Sequence, residues 1–149
     1  MSLTIKQHVD HWISSSNESA KDMEAAFKSK RYLNAVYCGH QSLEKIFKAL
    51  QAAKNIQIVY THKTAMLANM CGFGLTQEQL DELNSIDQFY IAAKYASAKS
   101  NLYAICTPQY TKQWINIMRN WRKCIKQQVI AERASLPNNI PANFPENQY

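Results

Sequence analysis

The segment Arg31 to Leu50, RYLNAVYCGHQSLEKIFKAL, sets the tightest limit on how this chain folds. Tyr32, Ala35, Val36, Gly39, Leu43, Ile46, Phe47 and Leu50 recur at the i, i+3, i+4, i+7 intervals of a helix that buries one side. Gln41, Glu44, Lys45, Lys48 and Gln51 gather opposite them, on a side that reads as facing solvent. No strand pattern competes anywhere in the chain. Helix breakers are also scarce, because of four prolines Pro137, Pro141 and Pro145 fall near the C-terminus and only three glycines occur. An all-α fold is expected.

Local signals divide that fold into helices. Thr4 with Gln7 forms a capping box, which predicts a first helix over Ile5 to Lys28 with Val9, Trp12, Ile13, Ala20, Met23 and Phe27 inward. Ser29 is expected to cap a second helix running to about Lys54, and so short a joint makes the pair antiparallel. Thr61 is expected to cap a short third helix through Met70, ended by the glycines of CGFGL. Thr76 and Gln79 repeat the capping box and open a fourth helix to about Lys94, with Leu80, Leu83, Ile86, Phe89 and Tyr90 inward. AKYASAKSNLYAIC either extends that helix or forms an irregular passage. Thr107 followed by Pro108 then opens the last helix, to about Arg133, whose Tyr110, Trp114, Ile117, Met118, Trp121, Ile125 and Val129 keep helical spacing. The expected whole is a five-helix up-and-down bundle over residues 1–135, with a long antiparallel first pair. A Pro-rich tail over 136–149, disordered or draped on the surface, follows it.

With 149 residues and 46% hydrophobic content, the chain suits one domain with a sizeable core. Cys38, Cys71, Cys106 and Cys124 are scattered, with no zinc-ligand spacing, and read as reduced structural thiols. No signal-peptide run or membrane-length apolar stretch occurs, so a cytoplasmic location away from membranes is expected. A formal charge of +6 favours anionic partners such as nucleic acid, nucleotides or an acidic protein.

Three pieces of sequence resemble the HEPN family of small helical domains. SAKDMEAAFKSKRYLNAV is similar to that family's passage from first to second helix, HQSLEKIFKAL to its Gln-x-x-Glu-Lys-x-x-Lys-Ala signature, and THKTAML to its His-led third helix. IAAKYA, over Ile91 to Ala96, is a weaker fourth piece where many members read Arg-Tyr. The resemblance spans roughly residues 10 to 130 and implies a helical bundle, a homodimer, and nucleotide or RNA binding through polar helix faces. It also implies a toxin–antitoxin pairing with a minimal nucleotidyltransferase. On that basis Gln41, Glu44, Lys45 and Lys48 are candidates to line a groove.

Thr61, His62 and Lys63 form a candidate site on separate physical grounds. A His and a Lys in the first turn of a helix oppose its dipole unless an anion or carboxylate sits there. Either a phosphate occupies this start, or His62 hydrogen-bonds a carboxylate such as Glu44. Nuclease members carry an Arg followed shortly by a His, suited to gripping phosphate and moving a proton. This chain has no such pair: Arg31 lies too far before His40, no His follows His62, and Lys94 stands where the later Arg is expected. Lys94 lacks the planar fork of arginine. Catalysis is therefore not expected, and His62 with Lys94 would carry it only in a divergent ribonuclease. No cofactor is expected, and the pair His8 and His11 is a weak metal signal. Tyr110, Trp114 and Trp121 read as core or subunit interface, and the cations Lys112, Arg119, Arg122, Lys123 and Lys126 as a solvated stripe. The leading function is phosphate or acidic-partner binding by a basic groove of the second and third helices. A divergent ribonuclease toxin and a purely structural interaction module are the alternatives.

Overall fold

Three threonines start helices by accepting backbone N–H groups that the first turn leaves without partners. Thr4 Oγ1 accepts from Gln7 N at 3.2 Å while Thr4 N donates back to Gln7 Oε1 at 2.8 Å. Thr76 and Gln79 repeat this box at 3.1 and 3.0 Å, and Thr107 accepts from Tyr110 N at 3.1 Å. The computed structural model describes residues 3–59 and 61–142, which form α1 (Ile5–Lys28), α2 (Tyr32–Ala53), α3 (Thr64–Met70), α4 (Gln77–Lys94), α5 (Ala96–Ile105) and α6 (Pro108–Ala134). The count is six among the described residues, not five. Tyr95 adopts an extended conformation (φ −117°, ψ 122°) that separates α4 from α5, and α5 then packs on α4 and α2.

Contact register gives the topology. Ser16 meets Ser42, and Ser19 meets Lys45, with Trp12 beside Lys48, so α1 and α2 run antiparallel. His40 meets Asp87, while Tyr37 stacks near Tyr90, so α4 reverses direction again. Glu82 meets Trp121 and Phe89 meets Trp114, which makes α6 antiparallel to α4 and parallel to α2. Four long helices thus alternate in direction, and ion pairs of Arg133 with Asp10 (2.7 Å) and Lys54 with Glu132 (3.1 Å) tie α6 to α1 and α2. Residues 136–142 return to the N-terminus, where Ile5 N donates to Ile140 O and Ala142 N to Leu3 O, at 2.9 and 3.2 Å. Pro145 and the remainder of the tail lie outside the described residues.

Two expected caps are displaced. Ser29 ends α1 instead of opening α2, its N–H bonded to Ala25 O at 3.0 Å, and Lys30 then makes the turn at φ 62°. Arg31 occupies the N-cap of α2 with no side-chain cap bond. Thr61 does not cap α3 either, since its Oγ1 accepts from Lys63 N at 3.2 Å and Lys63 is the N-cap. α3 ends as expected at the glycines, with Gly72 in the left-handed region at φ 88°.

The larger correction concerns α2, which is enclosed by α1, α3, α4, α5 and α6. Its supposed solvent side is largely sealed, with Glu44 3%, Lys48 6% and Gln51 0% exposed. Gly39 permits the closest approach, because a Cβ there would stand 2.4 Å from Met118 Cε and 3.0 Å from Met23 Sδ. The aromatics of α6 are likewise engaged: Trp121 Nε1 donates to Glu82 at 2.7 Å and Trp114 packs edge-on against Phe89. Exposed large apolar side chains include Ile91, Tyr95, Tyr103 and Ile105, at the end of α4 and on α5, with Met66 on α3 and Ile130 on α6 standing apart.

Candidate functional site

Two buried polar side chains of α2, Glu44 and His40, find partners in the segment before α3 and on α4. His62 Nδ1 makes a short hydrogen bond with the Glu44 carboxylate, and Lys48 Nζ stands 3.8 Å from the other Glu44 oxygen, above the Trp12 ring at 5.3 Å. With a carboxylate as acceptor, Nδ1 of His62 carries the proton. His40 Nε2 lies 2.9 Å from the His62 carbonyl and 3.3 Å from Asp87 Oδ1, which fixes the backbone where His62 leaves.

The start of α3 holds an internal carboxylate. Asp87 receives Thr64 N at 3.0 and 3.1 Å and Thr64 Oγ1 at 2.7 Å, so it serves as an N-cap supplied from α4. The unfavourable placement of His62 and Lys63 is thereby offset within the fold. The expected pairing of His62 with Glu44 is found.

Beside this network, Thr61, His62, Lys63, Tyr90, Ile91 and Lys94, with Asp87, line a cavity of about 450 Å³. The His62 ring stacks on Tyr90 with centroids 4.0 Å apart and planes 24° from parallel, and Lys94 Nζ stands 4.7 Å from the same Tyr90 ring. Asp87, Tyr90, Ile91 and Lys94 follow i, i+3, i+4, i+7 along α4, which aims them at one cleft. Burial, then the neighbouring Tyr90, pushes the Tyr37 phenol above its ordinary range. The cleft unites Thr61, His62, Lys63 and Lys94 from the sequence candidates. Glu44 supports it from beneath.

The other α2 candidates do not join it. Lys45 donates to Ser19 Oγ at 2.8 Å on the α1 side, Lys48 is sealed between Glu44 and Trp12, and Gln41 is half-buried outside the cleft lining. No groove formed by α2's polar residues together exists among the described residues. His40, Asp87 and Tyr90 were missed as site residues; the helical spacing from Asp87 to Lys94 was the available signal, but of it only Tyr90 was read, as core.

Cys38, Cys71, Cys106 and Cys124 form no disulfide, and Cys124 is exposed while Cys71 and Cys106 are buried. His8 is buried and His11 exposed, and among the described residues no group of three His, Cys, Asp or Glu side chains could hold a metal ion. No described helix is long and apolar enough to cross a membrane. The model of the HEPN domain family matches residues 9–128. No curated protein and no solved structure matches the chain.

Proposed function

The chain belongs to the HEPN domain family, and from that premise we propose that it binds a nucleotide or RNA phosphate, without cleaving it, in the cleft lined by Thr61, His62, Lys63, Tyr90 and Lys94. The observation that carries this reading is the placement of Lys63 and Lys94 at the rim of a cleft whose wall is the stacked His62–Tyr90 pair. The acids beneath are already engaged: Glu44 by His62 and Lys48, Asp87 by Thr64 and His40. Glu44 is thus paired beneath the cleft, Asp87 is held by hydrogen bonds within its lining, and Lys63 and Lys94 supply the positive charge of the rim. Two ammonium groups suit phosphate oxygens as point charges, and an aromatic–imidazole face suits a base or ribose edge. A minimal nucleotidyltransferase is the partner proposed, and a second copy of the chain the natural cover for the apolar surface of α5.

Polarisation of a fluorescein-labelled single-stranded RNA tests the reading. Binding is expected to weaken with salt, and Lys63→Glu or Lys94→Glu is expected to weaken it further, each reducing the log–log salt slope by about 0.7 for a lost phosphate contact. Unchanged affinity and slope in both variants would remove the cleft from consideration.

A second reading, a divergent ribonuclease, is favoured by one observation, the carboxylate–imidazole pair of Glu44 and His62. A buried carboxylate holding Nδ1 orients an imidazole for proton transfer, and Lys94 would then hold the phosphate. RNA cleavage by purified protein that disappears in His62→Ala would establish it over simple binding. A structural interaction module would show neither cleavage nor RNA affinity.

A further inference from the structure

On the far side of α2 the molecule carries a different concentration of charge. Residues 119, 122, 123 and 126 of α6 sit at i, i+3, i+4 and i+7, so Arg119, Arg122, Lys123 and Lys126 form one stripe about 10 Å long at 1.5 Å per residue. The stripe flanks a cavity of about 610 Å³ between α1 and α6, floored by Met23, Met118 and Ser42. Ser42 is two residues from both His40 and Glu44, and at about 100° per residue it points nearly opposite them. The two clefts therefore occupy different faces.

What distinguishes this groove is how its cations are partnered. Arg119 is matched by Glu24 through two hydrogen bonds of 2.6 and 2.5 Å. Arg122 and Lys126 have no such match: Arg122 Nη1 lies 3.0 Å and Lys126 Nζ 3.1 Å from a single neutral acceptor, Asn17 Oδ1. Among the described residues the one other hydrogen-bond partner of Arg122 Nη1 is Ser16 Oγ at 3.3 Å, and that hydroxyl already donates to the Ser42 carbonyl. Among the described residues neither Arg122, Lys123 nor Lys126 makes an ion pair. Two like charges thus converge on an amide dipole that cannot neutralise either. Burial lowers the pKa of both, and for Lys126 the nearby Arg122 lowers it further, as expected where a counter-charge is lacking.

We propose that this α1–α6 groove is a second anion site, in which Arg122 and Lys126 take a phosphate group at the point where they now converge on Asn17. A phosphate answers both charges at once and accepts from the planar fork of Arg122 and the ammonium of Lys126 together. The groove volume admits a ligand of nucleotide size, and its apolar methionine floor gives the remainder of such a ligand a surface to rest on. Phosphate from a small ligand and phosphate from a nucleic-acid backbone share this chemistry.

Calorimetry with inorganic pyrophosphate and polarisation with a labelled single-stranded oligonucleotide separate those sources. Whichever probe the groove takes is expected to lose at least tenfold in affinity in Arg122→Gln, with the loss partly recovered by Arg122→Lys. The Lys63→Glu variant of the other cleft is expected to retain this component, so the two readings fail separately. Asn17→Asp provides the check that needs no lost interaction: a carboxylate placed between the two cations mimics the ligand, and it is expected to raise the melting temperature while abolishing probe binding. Binding of neither probe by the wild-type chain, affinity unchanged in Arg122→Gln, or Asn17→Asp that lowers the melting temperature and keeps binding would overturn the proposal.

Discussion

Replacing Glu44 by glutamine removes one charge from the middle of α2 while preserving volume and a hydrogen-bond acceptor for His62. Its main effect falls on Lys48, 6% exposed, whose only ion pair among the described residues is with Glu44 at 3.8 Å. Breaking a buried pair by removing one partner typically costs about 3–5 kcal/mol, because the remaining charge stays desolvated. The Trp12 ring 5.3 Å from Lys48 Nζ offsets part of this, by roughly 1 kcal/mol, so Glu44→Gln is expected to cost about 3 kcal/mol. For a domain of this size that corresponds to a fall in Tm of roughly 6–12 °C. Lys48→Met is expected to cost less, about 1 kcal/mol, since Glu44 keeps His62 as its partner. The double variant carries no buried cation and is expected to lie within about 1 kcal/mol of wild type, giving a coupling of about 3 kcal/mol. Urea unfolding of the four proteins at neutral pH, with equal m-values, measures the cycle. Single costs that simply add, or a Glu44→Gln cost below about 1 kcal/mol, would show that Lys48 reaches solvent and that this flank of α2 is not sealed.

Other substitutions test separate parts of the account. Gly39→Ala drives a methyl group to within 2.4 Å of Met118 Cε, and because that methionine end can shift, the loss in urea unfolding is expected at the low end of the overpacking range, about 1–2 kcal/mol; no loss would mean the α2–α6 contact is looser than described. The buried Cys71 thiol is pushed up to about 11 by desolvation, so at pH 8 a thiol reagent is expected to label exposed Cys124 well before Cys71, and equal rates would contradict the burial. The hydrogen bonds from Arg119 hold the Glu24 carboxyl below its ordinary range. A depressed carboxyl pKa stabilises the fold above the unfolded value and loses that contribution as pH falls through the folded one, so Arg119→Gln is expected to flatten acid destabilisation below about pH 5; an unchanged acid limb would refute this.

Helix starts were legible where the signal is local. Thr4 with Gln7, Thr76 with Gln79 and Thr107 with Tyr110 each complete their cap bonds within three residues. Ser29 and Thr61 carry the same chemistry, but the backbone leaves the helix elsewhere, and the cap of α3 comes from Asp87, 23 residues further along. Periodicity identified α2's apolar face correctly and misread the other, because spacing reports which residues are apolar and not how many helices surround them. For the same reason, the charges of Arg122 and Lys126 were visible in sequence, but their shared acceptor Asn17 was not, lying 105 and 109 residues away. The cleft was half-visible: Thr61, His62, Lys63 and Lys94 stood out, while Tyr90 was taken for core and Asp87 was not singled out.

Phosphate, as proposed, meets this chain at the His62–Tyr90 wall. Titrating the isotope-labelled protein with a short single-stranded RNA and following its amide NMR signals tests that claim directly. Saturable, salt-sensitive shifts clustered at His62, Lys63, Tyr90, Ile91 and Lys94 are expected. Shifts absent there, or confined to the α1–α6 groove or the exposed face of α5, would contradict it.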